Sequence, residues 1–286
     1  MSSQNIMFIL NGLTQAALLF ILGSGLTLAF GLMRVVNLAH GAFYLLGGYI
    51  GFSVWKATGS WLLGLAAGGV AIALFGFLFE RFMLVRVRNN TLGQTLLTIA
   101  LGMIIADVCL AVWGGTALKL TVPKAIKFSV KWFGITYPVF RYILIGTSIL
   151  IGILLYFILY RTKIGAGVRA GVDDRETINA LGIDIKKIYT LVFVLSCLLC
   201  GIAGVFGGTY LNLAPGNDTQ TLTYALVIVI VGGMGSLSGA IISSLVLGQV
   251  ISFSRGLLPE YSMFLVFVPM VVVLAIRPQG LMGKEL

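Results

Sequence analysis

Eight long apolar runs, separated by short polar links and one hydrophilic island, leave this chain a single solvent for most of its length: lipid. The runs cover residues 8–33, 38–54, 61–79, 92–112, 142–160, 188–211, 222–253 and 263–276. A helix needs about 20 mostly apolar residues to cross a hydrocarbon core, and backbone polar groups find no partner in lipid, so such runs fold as helices. With 59% hydrophobic and 10% charged residues, the chain has too little polar surface to cover a water-soluble globule. The expected fold class is an all-α integral membrane protein, a multi-span helical bundle of about 7–8 spans plus re-entrant half-helices. The whole chain, residues 1–286, reads as one transmembrane domain.

Several function classes drop out. The net charge of +10 sits on basic residues clustered between apolar runs, the pattern of topology and headgroup contact, and no basic and aromatic tract is long enough to track a nucleic-acid backbone. The start, MSSQNIMFILNG, lacks the basic region and cleavage site of a signal peptide, so the first run is expected to be retained. Cys109, Cys197 and Cys200 fall within apolar runs. Cys197 and Cys200 form C-x-x-C on one helix face, which reads as packing unless polar access permits metal or redox chemistry. No phosphate-binding loop is present. One histidine, three buried thiols and scattered carboxylates build neither a metal site nor a nucleophile, base and orienter set, so no cofactor and no enzyme activity are expected.

The island, residues 161–187, holds ten charged side chains and must lie at a membrane face. Within 168–181, Val168, Val172, Ile178 and Leu181 share an apolar face, with Asp173, Asp174, Arg175 and Glu176 exposed and Gly182 placed as a C-cap. This predicts a short amphipathic helix that offers a rigid knob to a soluble partner or anchors the fold. Placing the island inside, with 222–253 returning to the side it entered from, puts 12 of the 19 Lys and Arg residues on inner faces, and 11 if that stretch crosses fully. That bias favours an outer N-terminus and a cytoplasmic C-terminus.

Two interruptions stand out. Residues 34–41, RVVNLAHG, join the first two runs without a real loop. Asn37 is a plausible N-cap, Gly41 permits close helix approach, and His40 either lines a path or bonds a neighbouring carbonyl. In 222–253 the glycines 232, 233, 235 and 239 fall within eight residues. They predict two half-helices about a break, a re-entrant hairpin, with one long kinked span as the alternative. Asp107 in the fourth run is a water-facing or Arg-paired carboxylate or an ion site. Asn11 and Gln15 form a mildly polar stripe, and the basic loop 114–141 is expected to fold over the membrane surface.

Three places resemble the permease subunits of branched-chain amino-acid ABC importers: VVNLAHGAFYLLGGYIG at 35–51, TKIGAGVRAGVDDRETINALGI at 162–183, and VGGMGSLSGAIISSLVLG at 231–248 with the tail RPQGLMG at 277–283. The resemblance implies an inverted-repeat importer permease in a bacterial-type inner membrane. It implies that residues 170–182 form a coupling helix seated in a cytoplasmic ATPase. Arg169, Ala170, Asp173, Asp174, Glu176, Ala180, Leu181 and Gly182 would be the coupling residues. Asn37, His40 and Gly41, with Gly232, Gly233, Gly235 and Ser236, would flank the translocation path. The implied partners are a second permease, two ATPases, an external binding protein and membrane lipid. Relatives that move urea, amides or aromatic acids leave the substrate open, and a secondary transporter coupled through Asp107 is the alternative mechanism.

Overall fold

The computed structural model describes residues 3–33, 37–88, 90–132, 135–173 and 184–283. Among these, seven helical segments are long and apolar enough to cross a membrane. They lie within α1 (Ser3–Met33), α3 (Trp61–Phe82), α4 (Thr91–Trp113), α5 (Val139–Arg161), α7 (Ile185–Tyr210), α9 (Leu237–Leu257) and the segment Pro259–Ile276, built from α10 (Ser262–Leu265) and α11 (Val268–Ile276). Three further helices are α2 (His40–Thr58), α6 (Lys163–Asp173) and α8 (Asn217–Gly232).

Helix boundaries follow from side-chain caps. Ser60, Asn90 and Ser236 accept hydrogen bonds from the free N–H groups of Leu63, Gly93 and Gly239, starting α3, α4 and α9. Gly59, left-handed at φ 72°, ends α2.

α1 and α7 are the most buried spans, whereas α4 and Pro259–Ile276 are the least. Their large exposed apolar side chains, such as Met103, Ile104, Val271 and Ile276, suit lipid or another apolar chain. Small residues let the central backbones touch. A methyl added to Gly201 would meet the Gly68 carbonyl, and one added to Gly248 would meet the Gly12 carbonyl. Packing and backbone approach replace the hydrophobic drive that lipid cannot supply.

The bundle has two distinct ends. One carries the island, where α5 arrives, α6 lies and α7 departs. The other carries the loop 114–141, whose strands β1 (Ser129–Trp132) and β2 (Ile135–Pro138) pair antiparallel with Lys131 opposite Thr136. That loop is fastened to the end of α7: Leu120 donates its N–H to the Gly208 carbonyl, and Leu118 bridges Leu213. It packs against this end of the bundle.

The long run 222–253 is resolved into α8 and α9, joined by a turn in which Gly233 and Gly235 adopt φ of 93° and 79°. Of the two sequence readings, the break is observed and the single kinked span is not. α9 runs antiparallel to α1, with Gly235 against Gly31 and Gly256 against Phe8. The pair therefore descends to the island end and returns.

The island helix differs from its expected bounds. α6 begins at Lys163 because Thr162 caps it, accepting from the Gly165 N–H (3.2 Å) while donating to the Ile158 carbonyl (2.6 Å). The positions Asp174, Glu176, Ala180, Leu181 and Gly182 lie outside the described residues.

Candidate functional site

From Asn37 onward, the segment that interrupts the first two runs is a helix start set within the bundle. Asn37 accepts the Ala39 N–H (3.1 Å) at Oδ1 and is 4% exposed, but the N-cap position of α2 is Ala39 with no side-chain cap bond, so Asn37 closes a turn just ahead of the helix instead of capping it as expected. His40 is fully buried. Its Nε2 donates to the Leu22 carbonyl (3.1 Å) in the middle of α1, while its own carbonyl accepts from Cys200 Sγ (2.9 Å) in the middle of α7. α2 thus starts near the midplane rather than at a surface. The carbonyl bond foreseen for His40 is present, and the ring's Nδ1 has no partner among the described residues.

The start of α8 meets the start of α2. Gly41 packs so closely on the Asp218 carbonyl that a methyl there would overlap it. Two cavities flank α2 and the first turns of α8. The larger, ≈ 390 Å³, extends from Leu22 and Leu18 of α1 and Tyr44 of α2 past the first turns of α8 to Arg255 near the end of α9. The smaller, ≈ 340 Å³, lies between Leu38, Ala42, α4 and α8, and brings Asp107 and Asp218 into one groove. Asp107 is not paired with an arginine among the described residues.

The polar stripe on α1 is divided between two jobs. Asn11 accepts from Arg141, whose guanidinium lies 5.1 Å and 5.3 Å from the rings of Tyr137 and Tyr210. Thr14 shares a hydrogen bond with the Tyr137 hydroxyl (2.7 Å). Gln15 instead lines the larger cavity at 4% exposure, without a hydrogen bond to another described residue.

Gly232, Gly233, Gly235 and Ser236 are gathered at the island end, two turns beyond the α8 residues that line the larger cavity. Gly232 faces Gly239, and Gly233 sits against Gly280 and Gly283 of the tail, whose Leu281 and Met282 donate to the carbonyls of Val231 and Gly232 (2.9 and 3.1 Å). Ser236 caps α9. Cys197 packs against Gly76, and both it and Cys200 are fully buried.

One polar cluster escaped the sequence reading. Glu80 of α3, 1% exposed, pairs with Arg88 and accepts from the Thr190 hydroxyl (2.7 Å) of α7. Arg88 also lies 4.9 Å from the centre of the Tyr189 ring, and its carbonyl accepts from Gln94 of α4 (2.5 Å). This clamp ties α3, α4 and α7 together one and a half turns from Asp184, which caps α7 beside the island. An acid placed directly after the apolar run LFGFLF (74–79) was the only sequence signal available. Arg169, expected to face a partner, folds back to donate to the Leu159 carbonyl at the end of α5, with its guanidinium 5.3 Å from the Tyr160 ring.

Residues 8–274 match the family described as branched-chain amino acid transport system / permease component. The chain is similar to the high-affinity branched-chain amino acid transport system permease protein BraD of Pseudomonas aeruginosa, at 25% identity over 96% of this chain and 95% of BraD. It is similar to LivH of Escherichia coli K12 at 27% identity, over 99% of this chain and 98% of LivH. The similarity to E. coli LivM, also 27%, spans 94% of this chain but 68% of LivM. Among solved structures, PsaBC from Streptococcus pneumoniae in complex with Fab has the same fold over 94% of this chain and 90% of that one, with a TM-score of 0.51 at 15% identity.

Proposed function

Because the chain belongs to the branched-chain amino acid transport system permease family, we propose that it forms, with a second permease, the translocation path of an ATP-driven importer for branched-chain or related hydrophobic amino acids. The observation that carries this reading is the full-length match to LivH and BraD, joined to the buried start of α2, which meets the first turn of α8 beside a cavity. Broken helices in the two halves of a chain are the device by which transporters place polar backbone at membrane depth. LivH and LivM carry the names of one transport system, and this chain corresponds to the shorter of the two.

Two cytoplasmic ATPases supply the work and an external binding protein delivers substrate. The island faces the cytoplasm, which puts the N-terminus outside and the C-terminal tail inside. Residues 169–182, including Ala170, Asp173, Asp174, Glu176, Ala180, Leu181 and Gly182, engage an ATPase. Arg169, bonded to the end of α5, passes that movement to the bundle. Asn37, His40 and Gly41 flank the path at the midplane. Gly232, Gly233, Gly235 and Ser236 form the hinge at its inner end, where α8, α9 and the tail converge.

The test is uptake into vesicles holding this chain with its co-purified subunits and binding protein. ATP-dependent uptake of leucine, isoleucine or valine is expected, abolished by Gly182→Leu or by reversing Asp173 and Asp174 in protein that remains inserted. Uptake of urea, amides or aromatic acids in preference to these would move the substrate assignment. Transport by this chain alone under a proton or sodium gradient would overturn the ATP-driven reading.

A further inference from the structure

We infer that the ≈ 390 Å³ cavity is a binding subsite within this single permease for the carboxylate of an aliphatic α-amino acid, with Arg255 as the group that reads it. The inference rests on the proposed importer function and deepens it, since nothing in that function requires the permease itself to recognise substrate.

Three observations converge. The first is charge. Arg255 is the one cation in the cavity lining and no carboxylate lines it, and Arg255 has no ion pair among the described residues. A cation at a cavity mouth attracts an anion or the negative end of a zwitterion. Arginine's fork of donors also matches a carboxylate.

The second is an unspent amide. Gln15 is buried to all but 4% and turns into the same space with no hydrogen bond to another described residue. Because the amide lines the cavity and is not spent on another described residue, its oxygen and N–H groups remain available to a polar occupant. Its neighbours contrast with it: Asn11, one turn nearer the N-terminus, is bonded to Arg141, and Thr14, the residue before it, to Tyr137. Gln15 has the oxygen needed to accept from an ammonium group.

The third is shape. Beyond Gln15 the α1 wall is Leu18, Leu19 and Leu22, an aliphatic strip running from the mouth toward the midplane. An amino acid lying along it would set its carboxylate at Arg255, its ammonium by Gln15 and its branched side chain against the leucines. The volume falls within the range of about 300–1,000 Å³ typical of small-molecule sites. Because the only fixed charge is positive, the carboxylate is the group the site demands, and the ammonium meets neutral acceptors alone.

The experiment measures binding of radiolabelled L-leucine to the assembled transporter in nanodiscs without its binding protein. 4-Methylpentanoate, which lacks the amine, is expected to compete, and 3-methylbutylamine, which lacks the carboxylate, is not. Arg255→Gln is expected to weaken leucine binding by about 10-fold or more, the loss of a charge-assisted hydrogen bond, with Arg255→Lys intermediate. Equal competition by acid and amine, or unchanged affinity in Arg255→Gln, would overturn the inference.

A second measurement guards against a variant that assembles poorly. A cysteine at Thr221 in the cavity wall, in a chain whose native thiols are all buried, is expected to react faster with an anionic thiosulfonate than with a cationic one. Leucine should slow the reaction. No charge preference and no protection by leucine would overturn the site. If the complex transports leucine and these results fail, only the subsite falls. If it transports no branched-chain amino acid, the functional reading falls first and the subsite with it.

Discussion

Arg88 and Arg255 are the same side chain in opposite circumstances. Arg88 stands at the island end with its charge answered by Glu80, its guanidinium over Tyr189 and its backbone held by Gln94. Arg255 stands at the other end, exposed, beside a cavity without an acid. A buried charge without a partner is expensive, so the protein completes the first arrangement internally. A charge at a wet cavity mouth needs no internal partner and remains available to a ligand. The difference separates a group that fixes helices from one that can select what passes between them.

Removing Glu80 should give the largest effect of any change that probes this contrast. Glu80→Ala strands Arg88 and deprives the Thr190 hydroxyl of its acceptor, and losing one member of a buried pair typically costs about 3–5 kcal/mol. Thermal unfolding of the detergent-solubilised protein should show a marked drop in midpoint. An unchanged midpoint would mean that the clamp is no more than a surface pair.

An intermediate effect is expected at Gly41, which belongs to neither arginine. Gly41→Ala forces the start of α8 away from α2, because the added methyl would overlap the Asp218 carbonyl. Overpacking of this kind costs about 1–3 kcal/mol. Since α8 supplies one wall of the larger cavity, leucine binding should weaken in parallel with stability. Loss of stability with untouched binding would show that the two interrupted helices do not shape the cavity.

The smallest effect on stability belongs to Arg255. Arg255→Ala should change stability by no more than about 0.5 kcal/mol, as for exposed residues without partners, leaving the unfolding midpoint close to the parent's while leucine binding weakens. A large destabilisation would place Arg255 in the same structural class as Arg88 and remove the contrast.

The membrane class of this protein was legible at once, because the cost of exposing backbone to lipid forces long apolar runs into helices wherever they occur. The island was legible for the same reason in reverse: ten charges in 161–187 exclude themselves from hydrocarbon. Local chemistry also marked the break at Gly233 and Gly235, whose left-handed backbone only glycine adopts freely. The boundary of α6 was less clear, because Thr162 caps it through bonds to residues on both sides of the chain turn.

What sequence could not reveal were pairings between residues far apart in the chain. Glu80 meets Thr190 across 110 positions, and Gln15 shares a cavity with Arg255 only because α9 packs antiparallel on α1. Asn11, Thr14 and Gln15 look alike along one helix, yet the first two are consumed by the β-hairpin and its neighbour Arg141, and the third is left facing open space. Composition and spacing determine which segments enter the membrane, since that choice depends on each segment's own transfer from water. Which polar groups are satisfied and which remain free depends on the helices that pack beside them, and that was decided by the tertiary structure alone.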